Sequence, residues 1–175
     1  AADMPAETRQ RLEEILPADR ITEHGIYFAN NAFVIGCNRD VAKACPTTAA
    51  EFFDVERFPG PRAIIDRPLI ALTFALAADG VDIAKADGVD FDRAFAKLET
   101  IKDHVRVWYS AGDQMEQIVR DGQVAMGLLW SGRSYGLISQ GVNLQVSWDG
   151  AIYDPGEWFV VKGAPNEKAA WEFIV

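Results

Sequence analysis

The stretch from Met126 to Tyr135 (MGLLWSGRSY) sets an indole, a hydroxyl and a guanidinium side by side: Trp130, Ser131 and Arg133. The apolar run before it, Val124 to Leu129, predicts a short buried strand, and Arg133 to Ile138 resumes with helical spacing. A strand that stops at a small-residue turn and feeds a helix aims backbone N–H groups at a point beyond its carboxyl end. Stacking, hydrogen bonding and ion pairing are therefore available together, which is chemistry for holding a small polar ligand. The plainer readings are a solvated first-turn position for Arg133 and a core aromatic for Trp130 or Trp108, since buried rings outnumber ligand-stacking ones. Ser110 and Asp113, just before another predicted helix, are either helix caps or ligand contacts.

Catalytic patterns are missing from the chain. His24 and His104 are too far apart and too isolated to suggest a metal site or a catalytic pair. No Ser-His-Asp order, phosphate-binding loop or HExxH motif occurs. Cys37 and Cys45, bracketing Asn38 to Ala44, are too few for a zinc site; they form either a short-loop disulfide or a pair of thiols. A disulfide would place maturation in an oxidising compartment.

The elements that must carry these groups are those of an α/β chain. At 175 residues, 49% hydrophobic and 25% charged, the sequence is long enough for one domain with a real core. A net charge of −9 and a pI near 4.7 argue against a nucleic-acid or anionic membrane partner. The longest apolar run, Pro68 to Ala78, is too short to span a bilayer and reads instead as a buried helix closed by Asp79-Gly80. The opening AADMP fits a processed terminus or a piece of a longer protein.

Residues 5–16 predict a weak amphipathic helix with Leu12, Ile15 and Leu16 on one side, ended by Pro17. Ile26 to Ile35 predicts a long extended segment, bent or changing sheet at Asn30-Asn31. Thr48 to Glu51 is a capping-box pattern. Strands are predicted at 62–65, 105–109, 143–148 and 158–161. Asp66 and Asp90 are expected at helix starts, and a further helix carries Met115, Ile118 and Val119. Trp148, Trp158 and Trp171 read as structural. Alternating strands and helices predict a sheet covered by helices.

Five segments, in order, resemble the periplasmic solute-binding proteins of ABC importers, in the spermidine/putrescine-type branch. They run Ala50–Arg62 (AEFFDVERFPGPR), Ala77–Val81 (AADGV), Asp90–Leu98 (DFDRAFAKL), Asp121–Gly127 (DGQVAMG) with Trp130–Arg133 (WSGR), and Val161–Ala170 (VKGAPNEKAA). The resemblance covers nearly the whole chain from about residue 20. It implies an α/β fold of the type II periplasmic binding protein class, in which two lobes joined by crossing strands close over a ligand. This chain would supply mainly the second lobe, residues 34–150. Residues 1–33 would be a first-lobe segment with one crossing strand, and 151–175 the returning strand with the start of a first-lobe helix.

Polyamine receptors of this family pair carboxylates with ammonium groups and sandwich the methylene chain between aromatic rings. Here the position after strand 62–65 reads Asp66-Arg67, and the later loop reads Tyr153-Asp154-Pro155-Gly156. One acidic group is shifted, one is lost, and arginines enter. A zwitterion fits that set better than a polycation, with an arginine for the carboxylate and Asp154 for the ammonium, as in receptors for γ-aminobutyrate (GABA). The expected ligand-binding residues are Arg133, Asp154, Trp130, Arg67, Ser110 and Tyr153. Ferric-ion receptors share the fold but use neighbouring tyrosines, and Tyr27, Tyr109, Tyr135 and Tyr153 are never adjacent.

The expectation is thus a periplasmic, monomeric binding protein without cofactor. It would take a small amine-containing solute and deliver it to an ABC permease. Competing readings are a putrescine or spermidine receptor, a sensor lobe, and a hydrolase or transferase using Asp66 or Asp154 as base.

Overall fold

The computed structural model describes residues 1–175, which divide into two compact units: residues 32–153, and residues 1–31 together with 154–175.

The unit of residues 32–153 is built on a five-stranded sheet. Its strands are β2 (Ala32–Asn38), β3 (Arg62–Ile65), β4 (Val105–Tyr109), β5 (Met126–Trp130) and β6 (Leu144–Tyr153), in the order β4-β3-β5-β2-β6. β3 runs parallel to β4 and β5, whereas β2 runs antiparallel to β5 and β6. The carboxyl ends of β3, β4 and β5 and the start of β2 consequently share one edge. Every residue of β2, β3 and the first four of β5 is buried, as strands covered on both faces require.

Helices α3 (Pro68–Ala78), α5 (Gly112–Arg120) and α6 (Ser131–Ser139) pack on this sheet, and α2 (Ala49–Phe53) and α4 (Phe91–Glu99) pack against α3. α3 is apolar all round and buries Ile70, Ala71, Leu72, Phe74, Ala75, Leu76 and Ala78; Gly80 follows its end at φ +82°, where a side chain would be strained. α5 buries Met115, Ile118 and Val119, as its periodicity predicts.

At the far end of β2 from the shared edge, Cys37 and Cys45 form a disulfide. The choice between bond and free thiols is thereby decided for the bond. Because it closes a short loop away from the candidate site, reduction is expected to lower stability by about 2–3 kcal/mol while leaving ligand affinity unchanged. Chemical unfolding and titration, each with and without dithiothreitol, check this; equal loss of affinity would contradict it.

Arg62, the first residue of β3, is fully buried. Its guanidinium donates to three backbone carbonyls: Nε to Phe52 at 2.9 Å, Nη1 to Gly60 at 2.8 Å and Nη2 to Phe58 at 2.7 Å. Burial pulls its pKa down to about 10, with Asp54 pulling the other way, so the group stays charged at neutral pH.

The second unit contains α1 (Ala6–Ile15), α7 (Glu167–Ile174) and the antiparallel pair β1 (Gly25–Ala29) and β7 (Gly156–Phe159). Its small core is Ala2, Val160 and Trp171. Phe28 stacks on Trp158 with ring centroids 4.8 Å apart, and Trp158 meets Phe173 at 5.5 Å.

Several local expectations change. Leu12 is buried but Ile15 is exposed, since α1 has only a narrow apolar stripe. Strand β6 runs on to Tyr153, because a bulge opposite Phe33 to Ile35 absorbs the residues read as a loop. β7 ends at Phe159 rather than Val161. The Thr48 box is half formed: Thr48 Oγ1 accepts from the Glu51 amide at 3.1 Å, but the Glu51 carboxylate turns to Thr47. α3 spans Pro68–Ala78 as expected, but Arg67 and not Asp66 occupies its N-cap position. Trp148 is half-exposed and donates its indole N–H to the Tyr135 hydroxyl at 3.1 Å. Of the bend or change of sheet expected at Asn30-Asn31, the change of sheet is what occurs, with β1 and β2 in different sheets.

Candidate ligand-binding site

Three helices follow the parallel strands at the shared edge: α3 after β3, α5 after β4 and α6 after β5. Parallel strands with helical returns leave such an edge lined by helix N-termini, whose amides lack intrahelical acceptors. Elsewhere in this unit the helix starts are capped: Thr48 caps α2, and Asp90 Oδ1 takes the Arg93 amide at 3.1 Å in α4. At the edge the N-cap positions are Arg67 for α3, Ala111 for α5 and Trp130 for α6, and none makes a side-chain cap. Within α5 the first turn is partly satisfied by Asp113 Oδ1, which accepts from the Gln114 amide at 3.0 Å. Arginine and tryptophan at positions that favour Ser, Thr, Asp or Asn forgo about 1 kcal/mol of capping energy each.

The two unusual N-cap residues touch. The Arg67 guanidinium lies 5.4 Å from the Trp130 ring centroid and 6.0 Å from that of Phe33. Trp130 in turn packs on Phe33 at 5.2 Å and meets Tyr109 edge-on at 5.9 Å. Tyr109 is buried and donates its hydroxyl to the Leu128 carbonyl at 2.7 Å. Burial raises its pKa above the usual phenol range, against the opposing charge of Arg67, so it is a neutral donor. Below the rings, buried Ser131 accepts the Ala32 amide at 3.2 Å, and Ser134 Oγ donates to the Trp130 carbonyl at 2.8 Å. The base of this patch is fixed by packing and hydrogen bonds, whereas Trp130 keeps part of its surface open.

Arg133 sits one turn into α6. Its Nη1 donates to Glu116 Oε1 of α5 at 2.5 Å. Its guanidinium lies against Gly112, the first residue of α5, where a Cβ would come within 2.1 Å of Nε. Gly112 is therefore a close-approach glycine. Ser110 is exposed, and its amide donates to Gln114 Oε1 at 3.0 Å. Tyr153 is 62% exposed and pairs with Ala32 at the start of β2. Asp154 belongs to the other unit, where its amide donates to the Asn31 carbonyl at 2.9 Å.

Of the expected residues, Arg67 and Trp130 meet directly, and Arg133 is engaged by a carboxylate. Phe33 and Tyr109 were not expected in the patch. Tyr109 could have been found as the last residue of an alternating strand, directly before Ser110. Phe33 carries no comparable signal, because only the β2–β5 register sets it opposite Trp130.

Comparison with known proteins adds identity to this geometry. Residues 6–175 match the family model described as bacterial extracellular solute-binding protein. A gamma-aminobutyric acid-binding protein of Pseudomonas aeruginosa is 39% identical over 136 residues, which is 74% of this chain and 38% of that protein. The crystal structure of an ABC transporter substrate-binding protein from Bradyrhizobium japonicum superposes with a TM-score of 0.87 at 30% identity. That match covers 99% of this chain and 54% of that one. A structure described as a GABA receptor matches with a TM-score of 0.82 at 36% identity, covering 93% of this chain and 51% of that one. The chain thus spans about half the length of these structures and less of the curated relative. Its fold is the α/β fold of periplasmic binding proteins, represented here in part.

Proposed function

The chain belongs to the bacterial extracellular solute-binding protein family, and from that premise we propose that it forms part of the receptor of an ABC importer for a small zwitterion of the γ-aminobutyrate kind. Such proteins bind and release rather than catalyse. No helix is long and apolar enough to cross a membrane. The family's extracellular character supports a receptor role in the periplasm, with a membrane permease as partner.

The observation that carries the reading is the contact of Arg67 with Trp130, both at N-cap positions on the strand-end edge. An arginine seated on an aromatic face presents its fork in a fixed plane, suited to a bidentate carboxylate. The N-termini of α3 and α6 add partial positive charge at the same edge. The indole and Phe33 offer a surface for a short methylene chain. We assign the carboxylate to Arg67, with Arg133 beside it as a cation paired with Glu116. Asp154 stands as the candidate for the ammonium group, and Ser110 and Tyr153 as rim contacts. Receptor action then follows from differential affinity: solute that contacts the closed form better than the open form shifts the protein toward closure.

Calorimetric titration of the protein with γ-aminobutyrate, putrescine and spermidine tests this. Binding of γ-aminobutyrate alone, weakened at least tenfold by Asp154→Ala, is the expected result. Binding of the diamine or triamine alone would replace the zwitterion by a polyamine.

A further inference from the structure

Arg133 brings a second guanidinium to the edge that holds Arg67, but not as an isolated charge. Its Nη1 is 2.5 Å from Glu116 Oε1, and the pair is only partly exposed, at 48% for the arginine and 29% for the glutamate. The guanidinium rests on the backbone of Gly112 at the start of α5, where a cation opposes the helix dipole. The glutamate on the next turn of the same helix offsets that opposition.

The pair is close to the ligand patch by chain and by contact. Arg133 lies one turn beyond Trp130, and Gly112 follows Tyr109, whose ring meets Trp130. Nothing in solute binding as such requires an acidic residue here. A buttress between α5 and α6 could be built from apolar side chains, which carry no charge into the site.

Resting on the zwitterion reading above, we infer that Glu116 is a specificity-determining residue: by cancelling the charge of Arg133 it limits the site to solutes with one carboxylate. Removing its charge leaves the edge one positive charge richer. Solutes with a second carboxylate then gain relative to γ-aminobutyrate. At a half-exposed separation of several ångströms, one unit charge changes a binding ratio by about tenfold.

The test is titration of wild type, Glu116→Gln and Glu116→Asp with γ-aminobutyrate and with glutarate. The expected result is a rise of about tenfold in the glutarate to γ-aminobutyrate affinity ratio for Glu116→Gln. Glu116→Asp, which keeps the charge, should hold the ratio near wild type. The shift should also shrink as sodium chloride is raised from about 20 mM to about 500 mM, a response that a packing defect would lack. An unchanged ratio in Glu116→Gln, with γ-aminobutyrate still bound by wild type, overturns the inference and leaves the receptor reading intact. A wild type that binds neither solute overturns both. Thermal melting of the variants separates a shifted ratio from a misfolded protein; a ratio shift matched by Glu116→Asp counts against the charge argument.

Discussion

Replacement of Arg62 by leucine is expected to destabilise the protein by about 3–5 kcal/mol. The side chain is wholly buried and its three donors reach the carbonyls of Phe52, Phe58 and Gly60. Leucine fills part of the volume but donates nothing, leaving carbonyls cut off from water. An unsatisfied buried acceptor costs about 1–3 kcal/mol, and desolvation of the guanidinium, no longer incurred, returns part of the sum. Lysine cannot reproduce a planar fork, so Arg62→Lys should fall between leucine and wild type. Arg106→Leu, at an exposed position of the neighbouring strand, is the control and should change stability by less than about 0.5 kcal/mol. Urea unfolding followed by circular dichroism measures all three; a loss below about 1 kcal/mol for Arg62→Leu would contradict the account.

Arg67→Ala should weaken γ-aminobutyrate binding by about 100-fold or more, since truncating a charged hydrogen-bonding partner costs roughly 2–5 kcal/mol. The same change should affect the fold far less than it affects binding. Among what it removes from the protein itself is a cation–aromatic contact with Trp130 and Phe33, worth about 0.5–1 kcal/mol. Affinity and stability therefore respond on different scales, and that separation is the signature of a ligand contact rather than a structural one. Arg67→Lys keeps the charge but loses the stacked plane, so most of the affinity should be lost there too. Titration paired with thermal melting decides the matter. Binding retained within threefold of wild type in Arg67→Ala would move the carboxylate elsewhere, with Arg133 next in line.

These two arginines show how differently position can be legible. Arg62 lies in AEFFDVERFPGPR, a segment noticeable only as part of a resemblance. A buried arginine has no periodic signature, because its three acceptors are backbone carbonyls of α2 (Phe52) and of the loop after it (Phe58 and Gly60), and carbonyls are identical in every sequence. Arg67 stood out because it follows an aspartate at a strand end and precedes the proline of a helix. Its contact with Trp130, far along the chain, depends on β3 and β5 lying side by side. Arg133 was equally visible as a cation near Trp130, yet its pairing with Glu116 was not, since that contact joins α5 to α6.

The sequence by itself determined the element types, the buried α3, a break in the extended segment at Asn30-Asn31 and the family to which the chain belongs. These rest on local patterns: periodicity, turn residues and ordered segments of related sequence. It also narrowed the cysteine pair to two states. Tertiary structure alone decided the disulfide, the satisfaction of Arg62, the placement of Phe33 and Tyr109 around Trp130, and the contacts of Arg67 with Trp130 and of Arg133 with Glu116. Each of those is a contact between residues distant in the chain. Such contacts depend on strand order and register, which one sequence read in isolation does not encode in any local signal.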